Sequence, residues 1–404
     1  MFYVILALAV LASANARSTR RTGCTININS DLLDPQPLLL VANATEPIFV
    51  DPVDTWGTLE FAVGESVRLV CPGSSNYLVN VGPKKVSDAN AVCVGGKIFS
   101  IGSTRYQFSS LVCQSLAWHE CRRTGKRCLG TYTQVEIGFN VGNGFFRVIE
   151  VCRDDDTYTT LYTKSNLTKG IGGYQRGYPR PNWLSGSFYS RYNMNAQYRR
   201  ATQIATVSTV VNSTILGASY VHTNTDYYFS RGHMVAKADF VYGSAMRATF
   251  WYVNSAPQWQ TFNGGNWNSL ESDVRSFASS RQLDLTIYTG VHGISSLADI
   301  NGVEQPMYFY ARGNARGLPV PKFYWKVIYD PISKKASAFV GVNDPHVSKL
   351  TDDYFICTDI SSKFNWLTWV ADSIELGISY ACTYDDLRAA IPTVPKIKVN
   401  GILV

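Results

Sequence analysis

The 404-residue chain contains no apolar run approaching the ~20 residues that a membrane-spanning helix requires. It has no internal repeat and no low-complexity tract, which excludes solenoid arrays and biased-composition tails. There is no Cys-x-x-Cys and no Cys/His cluster at zinc spacing, so a zinc ribbon or finger is excluded. His119-Glu120-Cys121 lacks the second histidine of a zincin helix and carries no metal site of that kind. Strict βαβ alternation is also missing, which favours α+β over a doubly wound parallel sheet. With 46% hydrophobic and 17% charged residues, the chain can bury one large core or two smaller ones.

The amino terminus departs from this average. An apolar stretch from Phe2 to Leu11 runs into Ala12-Ser13-Ala14-Asn15-Ala16, small residues suited to signal peptidase, so residues 1–16 read as a secretory signal. Sequons at Asn43, Asn166 and Asn212 agree with export and glycosylation. All nine cysteines lie beyond the signal, and in an oxidising compartment most pair while the odd count leaves one over. Seven precede residue 153, which predicts a disulfide-stapled first half. Cys357 and Cys382, isolated from the rest, are expected to pair with each other. The net charge of +7 is compatible with a polyanionic partner, and the local clusters are more informative. These are Arg17–Arg21, the run from Arg122 to Arg127, Arg176 with Arg180, and Arg199-Arg200.

Short strand patterns at Leu38–Val41, Val67–Cys71, Lys97–Ile101, Gln134–Phe139 and Phe145–Val151, divided by Gly, Pro, Asn and Ser, predict a β-rich, cysteine-rich domain over residues 17–155. Gly170 to Pro181 holds four glycines and two prolines, which places a linker at 156–185 and a second domain at 186–404. In that second domain the spacing predicts helices over Asn195–Val211 and Asn266–Ala278. Strands are expected at Leu285–Val291 and Met307–Ala311, with a hairpin of Phe323–Tyr329 and Ala336–Val342. Phe364–Ile391 reads as helical with a break near Gly377.

Chemistry concentrates between residues 230 and 275. Ser230-Arg231-Gly232-His233 is followed by Asn254-Ser255-Ala256-Pro257-Gln258, then Asn263-Gly264-Gly265-Asn266-Trp267, then Glu271 and Arg275. A histidine accepts a proton near neutrality, and Gly232 is expected to permit an unusual turn that exposes it. A carboxamide oxygen such as that of Asn263 suits a hard divalent ion that keeps most of its waters. Trp267, Glu271 and Arg275, four apart, form one slanted helical face, with Trp267 assigned to packing. A base, a neutral oxygen ligand, an acid and a cation are the parts needed to hydrolyse a phosphodiester.

Over residues 195–345 this order resembles the sugar-non-specific DNA/RNA endonucleases of the ββα-metal (His-Me finger) class, in particular the secreted arthropod members. The family's Asp-Arg-Gly-His appears as Ser-Arg-Gly-His; its Asn-x-x-Pro-Gln and Asn-x-Gly-x-Trp blocks match Asn254–Gln258 and Asn263–Trp267. The resemblance implies a ββα-metal domain behind a β-rich one, His233 as general base and Asn263 as ligand of Mg²⁺ (or Mn²⁺). Arg231, Asn254, Glu271 and Arg275 take supporting catalytic roles. It also implies DNA and RNA as substrates and 5′-phosphate products; neither a membrane nor a stable protein partner is expected. Ser230 replaces an acidic residue, and the family's further upstream arginine has three candidates in Arg191, Arg199 and Arg200. The rival readings are a secreted nucleic-acid-binding protein with little or no hydrolysis, and a host-factor-binding protein resting on the β-rich half.

Overall fold

The computed structural model describes residues 23–404; the expected signal segment and the Arg17–Arg21 cluster lie outside the described residues. The first seven strands are β1 (Cys24–Asn27), β2 (Leu38–Val41), β3 (Thr58–Phe61), β4 (Ser66–Val70), β5 (Asp88–Gly95), β6 (Ile98–Ile101) and β7 (Thr104–Gln107). β1 pairs with β3, and the others form a five-stranded antiparallel sheet in the order β2-β4-β5-β6-β7. Disulfides Cys24–Cys93 and Cys71–Cys113 close this module, the first joining the ribbon to the sheet.

Four long strands follow: β8 (Glu120–Cys128), β9 (Tyr132–Val141), β10 (Gly144–Asp154) and β11 (Thr159–Leu167). In β9, Val135, Ile137, Phe139 and Val141 are buried in strict alternation, the period that a half-covered strand demands. The chain then forms α1 (Met194–Gln197), α2 (Arg200–Val210), α3 (Thr214–Tyr220), β12 (Phe229–His233), α4 (Gly243–Ala248), β13 (Ser255–Trp259), α5 (Gln260–Gly264) and α6 (Asn266–Arg281). After β14 (Leu285–His292) come two small hairpins, β15 (Ser296–Ala298) with β16 (Glu304–Pro306) and β17 (Tyr308–Arg312) with β18 (Ala315–Pro319). The last elements are β19 (Phe323–Asp330), β20 (Lys335–Val342), β21 (Ser379–Cys382), α7 (Tyr384–Ala390) and β22 (Gly401–Ile402).

One nine-stranded sheet in the order β21-β20-β19-β14-β11-β10-β9-β8, with β22 alongside β20, carries the molecule. The border expected at 155–156 therefore falls inside the β10–β11 hairpin, and residues 120–167, assigned to the first domain and linker, build four of the nine strands of this sheet. Local alternation marks a strand without naming its partner; Tyr162 faces Gly290 across a sequence gap that no spacing rule reads. A continuous apolar core runs from Phe61 and Phe99 through Ile171 to Phe277, so the first module and α6 share one interior. Disulfides Cys128–Cys152 and Cys357–Cys382 complete the pairing, and Cys121 is the free thiol.

α6 buries Trp267, Leu270, Val274, Phe277 and Ala278 on one stripe and ends in a left-handed Gln282. The helix expected over 364–391 is confined to α7. Residues 379–382 form β21, and over 364–378 the backbone is irregular, its polar groups engaged by α6 side chains. Asn266 Nδ2 donates to Val370 O (2.8 Å) and Gly377 O (2.6 Å), and Thr368 N donates to Asp273 Oδ2 (2.7 Å). Gly290 occupies the sheet centre, where a Cβ would meet Trp325 Cζ2 at 2.1 Å and Leu161 O at 2.6 Å. Gly290→Ala is expected to destabilise the fold by about 2–3 kcal/mol through overpacking, read as a lowered Tm in thermal melts.

Candidate functional site

β12 and β13 pair antiparallel, with Arg231 opposite Pro257, Gly232 opposite Ala256 and His233 opposite Ser255. α5 packs back on this hairpin and α6 continues from it after a break at Gly265. A Cβ on Gly265 would stand 2.5 Å from Thr261 O and 2.9 Å from Leu376 O. Gly232 lies in the extended strand rather than in a turn. Its glycine is required by close approach: a Cβ would sit 2.3 Å from Gln258 Oε1 and 2.8 Å from the Tyr324 hydroxyl.

Alternation along β12 sends Arg231 and His233 to one face and Ser230 to the other. Ser230 Oγ donates to Gln258 O (3.0 Å), so the serine that replaces the acidic residue is spent on the hairpin. The His233 ring lies against Trp183, Phe250 and Thr249, with ring centroids 4.6 Å from Trp183 and 5.0 Å from Phe250. Thr249 Oγ1 already donates to Met246 O (2.8 Å), so its 3.4 Å contact with His233 Nε2 takes the imidazole N–H as donor. That assignment leaves Nδ1 with a free lone pair. Burial first, then the Arg180 and Lys237 cations, hold the imidazole pKa down at about 3, so it is neutral at physiological pH.

Arg231 Nε donates to the Tyr252 hydroxyl (3.0 Å), and its guanidinium lies 4.6 Å from the Tyr198 ring centroid. Asn254 turns inward to the backbone. It is fully buried: Oδ1 accepts from Val235 N (3.0 Å), and Nδ2 donates to Val235 O and Thr249 O (both 3.0 Å). In this structure it holds the chain leaving His233, the form its expected supporting role takes here.

Asn263, half-buried near the end of α5, donates from Nδ2 to Gln260 Oε1 at 3.4 Å, and among the described residues its Oδ1 accepts no hydrogen bond. On α6, Arg275 Nη1 pairs with Asp239 Oδ1 at 3.0 Å, six residues beyond His233. Glu271 shares that cluster: burial raises its pKa to about 7 against the pull of Lys326, while Asp239 adds to the rise and Arg275 opposes it. Lys326 is buried in β19, donates to Thr289 Oγ1 (2.8 Å) and lies 5.2 Å from the Trp267 ring. Trp267 packs on Phe262 and Tyr324, as its helical position predicted.

The structure thus gathers His233 with Arg231, and Glu271 with Arg275, on a hairpin–helix unit that also bears Asn263. Sequence reasoning missed Trp183, Lys237, Asp239 and Lys326, and saw Arg180 only as part of a basic cluster. Of the three upstream arginine candidates, Arg200 stacks on the Tyr228 ring, while Arg191 and Arg199 are exposed. No cluster of three or more His, Cys, Asp or Glu side chains occurs among the described residues. A carboxamide oxygen at the end of α5 and a carboxylate on α6 are donors that suit an ion retaining most of its waters, and suit zinc poorly.

An antiparallel β-hairpin followed by a helix, with histidine on the hairpin and asparagine at the helix entry, defines the ββα-metal class within an α+β fold. Residues 130–387 match the sequence model of the DNA/RNA non-specific endonuclease family, and the chain belongs to it; it is a nuclease of a metal-dependent family. It is 25% identical over 350 residues to a salivary endonuclease of Lutzomyia longipalpis, covering 86% of this chain and 77% of that one. The salivary protein Tsal2A of Glossina morsitans morsitans is 25% identical over 393 residues, covering 94% of each. A chain from the crystal structure of the EndoG/EndoGI complex shares 17% identity, spans 65% of this chain and 89% of its own, and has a TM-score of 0.37.

Behind the site, Trp251 Nε1 donates to His119 Nδ1 (2.9 Å), and burial followed by the Arg247 charge lowers the His119 pKa to about 4. Below its ordinary pKa near 6.5, the unfolded chain takes up a proton that the folded chain refuses until about 4. Stability therefore falls as pH drops through this window. His119→Gln, which keeps an acceptor for Trp251, is expected to remove about 2–3 kcal/mol of that loss between pH 7 and 4. Urea melts of both proteins across this range check it.

Proposed function

We propose that this nuclease is secreted, depends on magnesium, and hydrolyses both DNA and RNA to 5′-phosphate products. The observation that carries the reading is a neutral imidazole with a free Nδ1 on the same strand face as Arg231. His233 Nδ1 accepts the proton of the attacking water. Arg231 and Arg275 offset the negative charge that grows on the phosphate, and Glu271 orients water by accepting hydrogen bonds. Asn263 Oδ1 and Glu271 would hold the divalent ion, which when bound supplies Lewis-acid neutralisation of the phosphate oxygens. None of these groups is arranged to read a base edge, which supports low sequence selectivity and binding that weakens with salt.

Four disulfides, exposed asparagines at all three sequons, and relatives named as salivary support secretion, with saliva as the destination. Ser230 faces away from His233, which favours hydrolysis over binding without cleavage. His233→Ala is expected to lower the rate of plasmid and RNA degradation in Mg²⁺ by at least about 10²-fold, and EDTA to abolish it. Undiminished activity in His233→Ala sinks the mechanism.

A further inference from the structure

The glycine- and proline-rich segment that reads as a linker is a strap fastened at both ends. At its start, Gln175 Nε2 donates to Ile28 O (3.0 Å) and its Oε1 accepts from Gly243 N (2.6 Å). Arg176 N donates to Asn29 Oδ1 (2.9 Å), and the Tyr178 hydroxyl donates to Asp34 Oδ1 (3.2 Å). Lys237 Nζ donates to Tyr178 O, which draws the strap over the chain just beyond His233. At its end, Leu184 N donates to Phe250 O and Tyr252 N donates to Leu184 O, both at 2.9 Å. Pro179 and Pro181 restrict the backbone between these anchors.

What the strap carries has no structural task that accounts for all of it. Trp183 rests on His233, Phe250 and Tyr252, with centroid distances of 4.6, 5.1 and 5.4 Å, yet remains half-exposed. Arg180 is exposed and, among the described residues, forms no ion pair or side-chain hydrogen bond, although its charge reaches the His233 imidazole. An indole backed by aromatic rings and half-exposed, with an unpaired guanidinium three residues before it whose charge reaches the same imidazole, is the chemistry that holds one nucleotide. The indole stacks on a base and the guanidinium pairs with a phosphate.

We infer that Trp183 and Arg180 form a nucleotide subsite next to His233: Trp183 stacks on the base flanking the scissile phosphate, and Arg180 grips a neighbouring phosphate. The subsite rests on the nuclease reading above. A base must leave its duplex stack to reach the indole, so unpaired strands gain from this contact and rigid duplexes do not.

The test uses initial rates of the full chain on a short single-stranded DNA and on the same length of abasic sugar–phosphate chain. Trp183→Leu is expected to raise KM for the base-bearing strand by roughly 5- to 150-fold, leaving KM for the abasic chain and the pH profile of kcat unchanged. Trp183→Phe should restore part of the loss. Arg180→Gln is expected to raise KM for both substrates alike and to flatten the salt dependence of cleavage. Equal losses on both substrates in Trp183→Leu, or a displaced pH profile, would show that the indole only packs against His233 and overturn the subsite. Failure of the wild-type chain to cleave either substrate overturns the nuclease reading beneath it instead.

Discussion

Three hydrogen bonds from one buried side chain keep His233 in place. Asn254 ties the backbone of Val235 and Thr249 together, and its own backbone carbonyl accepts from Met234 N at 2.9 Å. The chain leaving His233 is thereby fixed to the chain entering β13. The hairpin register and the Thr249 contact with Nε2 follow from it. A buried amide with both ends satisfied specifies one arrangement, because any slip would leave polar atoms unpaired in a dry interior. Gly232 adds the steric half of the constraint, since the approach of Gln258 and Tyr324 leaves no room for a side chain there.

Beneath the hairpin the charges are arranged so that each makes the next tolerable. Lys326 loses most of its water in β19, which pushes its ammonium below the ordinary lysine range, while Asp239 and Glu271 draw it back. Glu271 is raised by burial and restrained by Lys326, and Asp239 is bonded to Arg275. Removing one member of such a group leaves an uncompensated buried charge, which costs more than the intact cluster contributes to stability. The cluster is better understood as fixing where Glu271 and Arg275 stand on α6 than as a source of stability.

The amino-terminal module is joined to this machinery through more than a covalent tether. Its core is continuous with that of α6, and loops around Ile28, Asn29 and Asp34 hold the start of the strap that runs to His233. The basic run from Arg122 to Arg127 lies on β8, at the edge of the large sheet, where Arg122 and Arg123 are engaged by Glu136 and Asp155. Charged side chains on an edge strand also discourage pairing with another chain.

Local patterns carried much of this into the sequence. Spacing on α6 put Glu271 and Arg275 on one face with Trp267 inward, and β9, β14, β19 and β20 were legible from their apolar runs because a strand's burial is written in its own residues. The pairing of Cys357 with Cys382 followed from isolation in sequence. The segment 364–378 misled because its backbone answers to Asn266 and Asp273, residues about a hundred positions away. Trp183 and Lys326 left no local signal and Arg180 only that of a basic cluster, since each matters through neighbours that only folding supplies. The order of functional groups along the chain pointed to phosphodiester hydrolysis by itself, because that chemistry needs such groups whatever the fold. Which asparagine faces the backbone, which proline-rich stretch lies over the histidine, and which strands share a sheet were decided by long-range packing, whose partners no short window of residues contains.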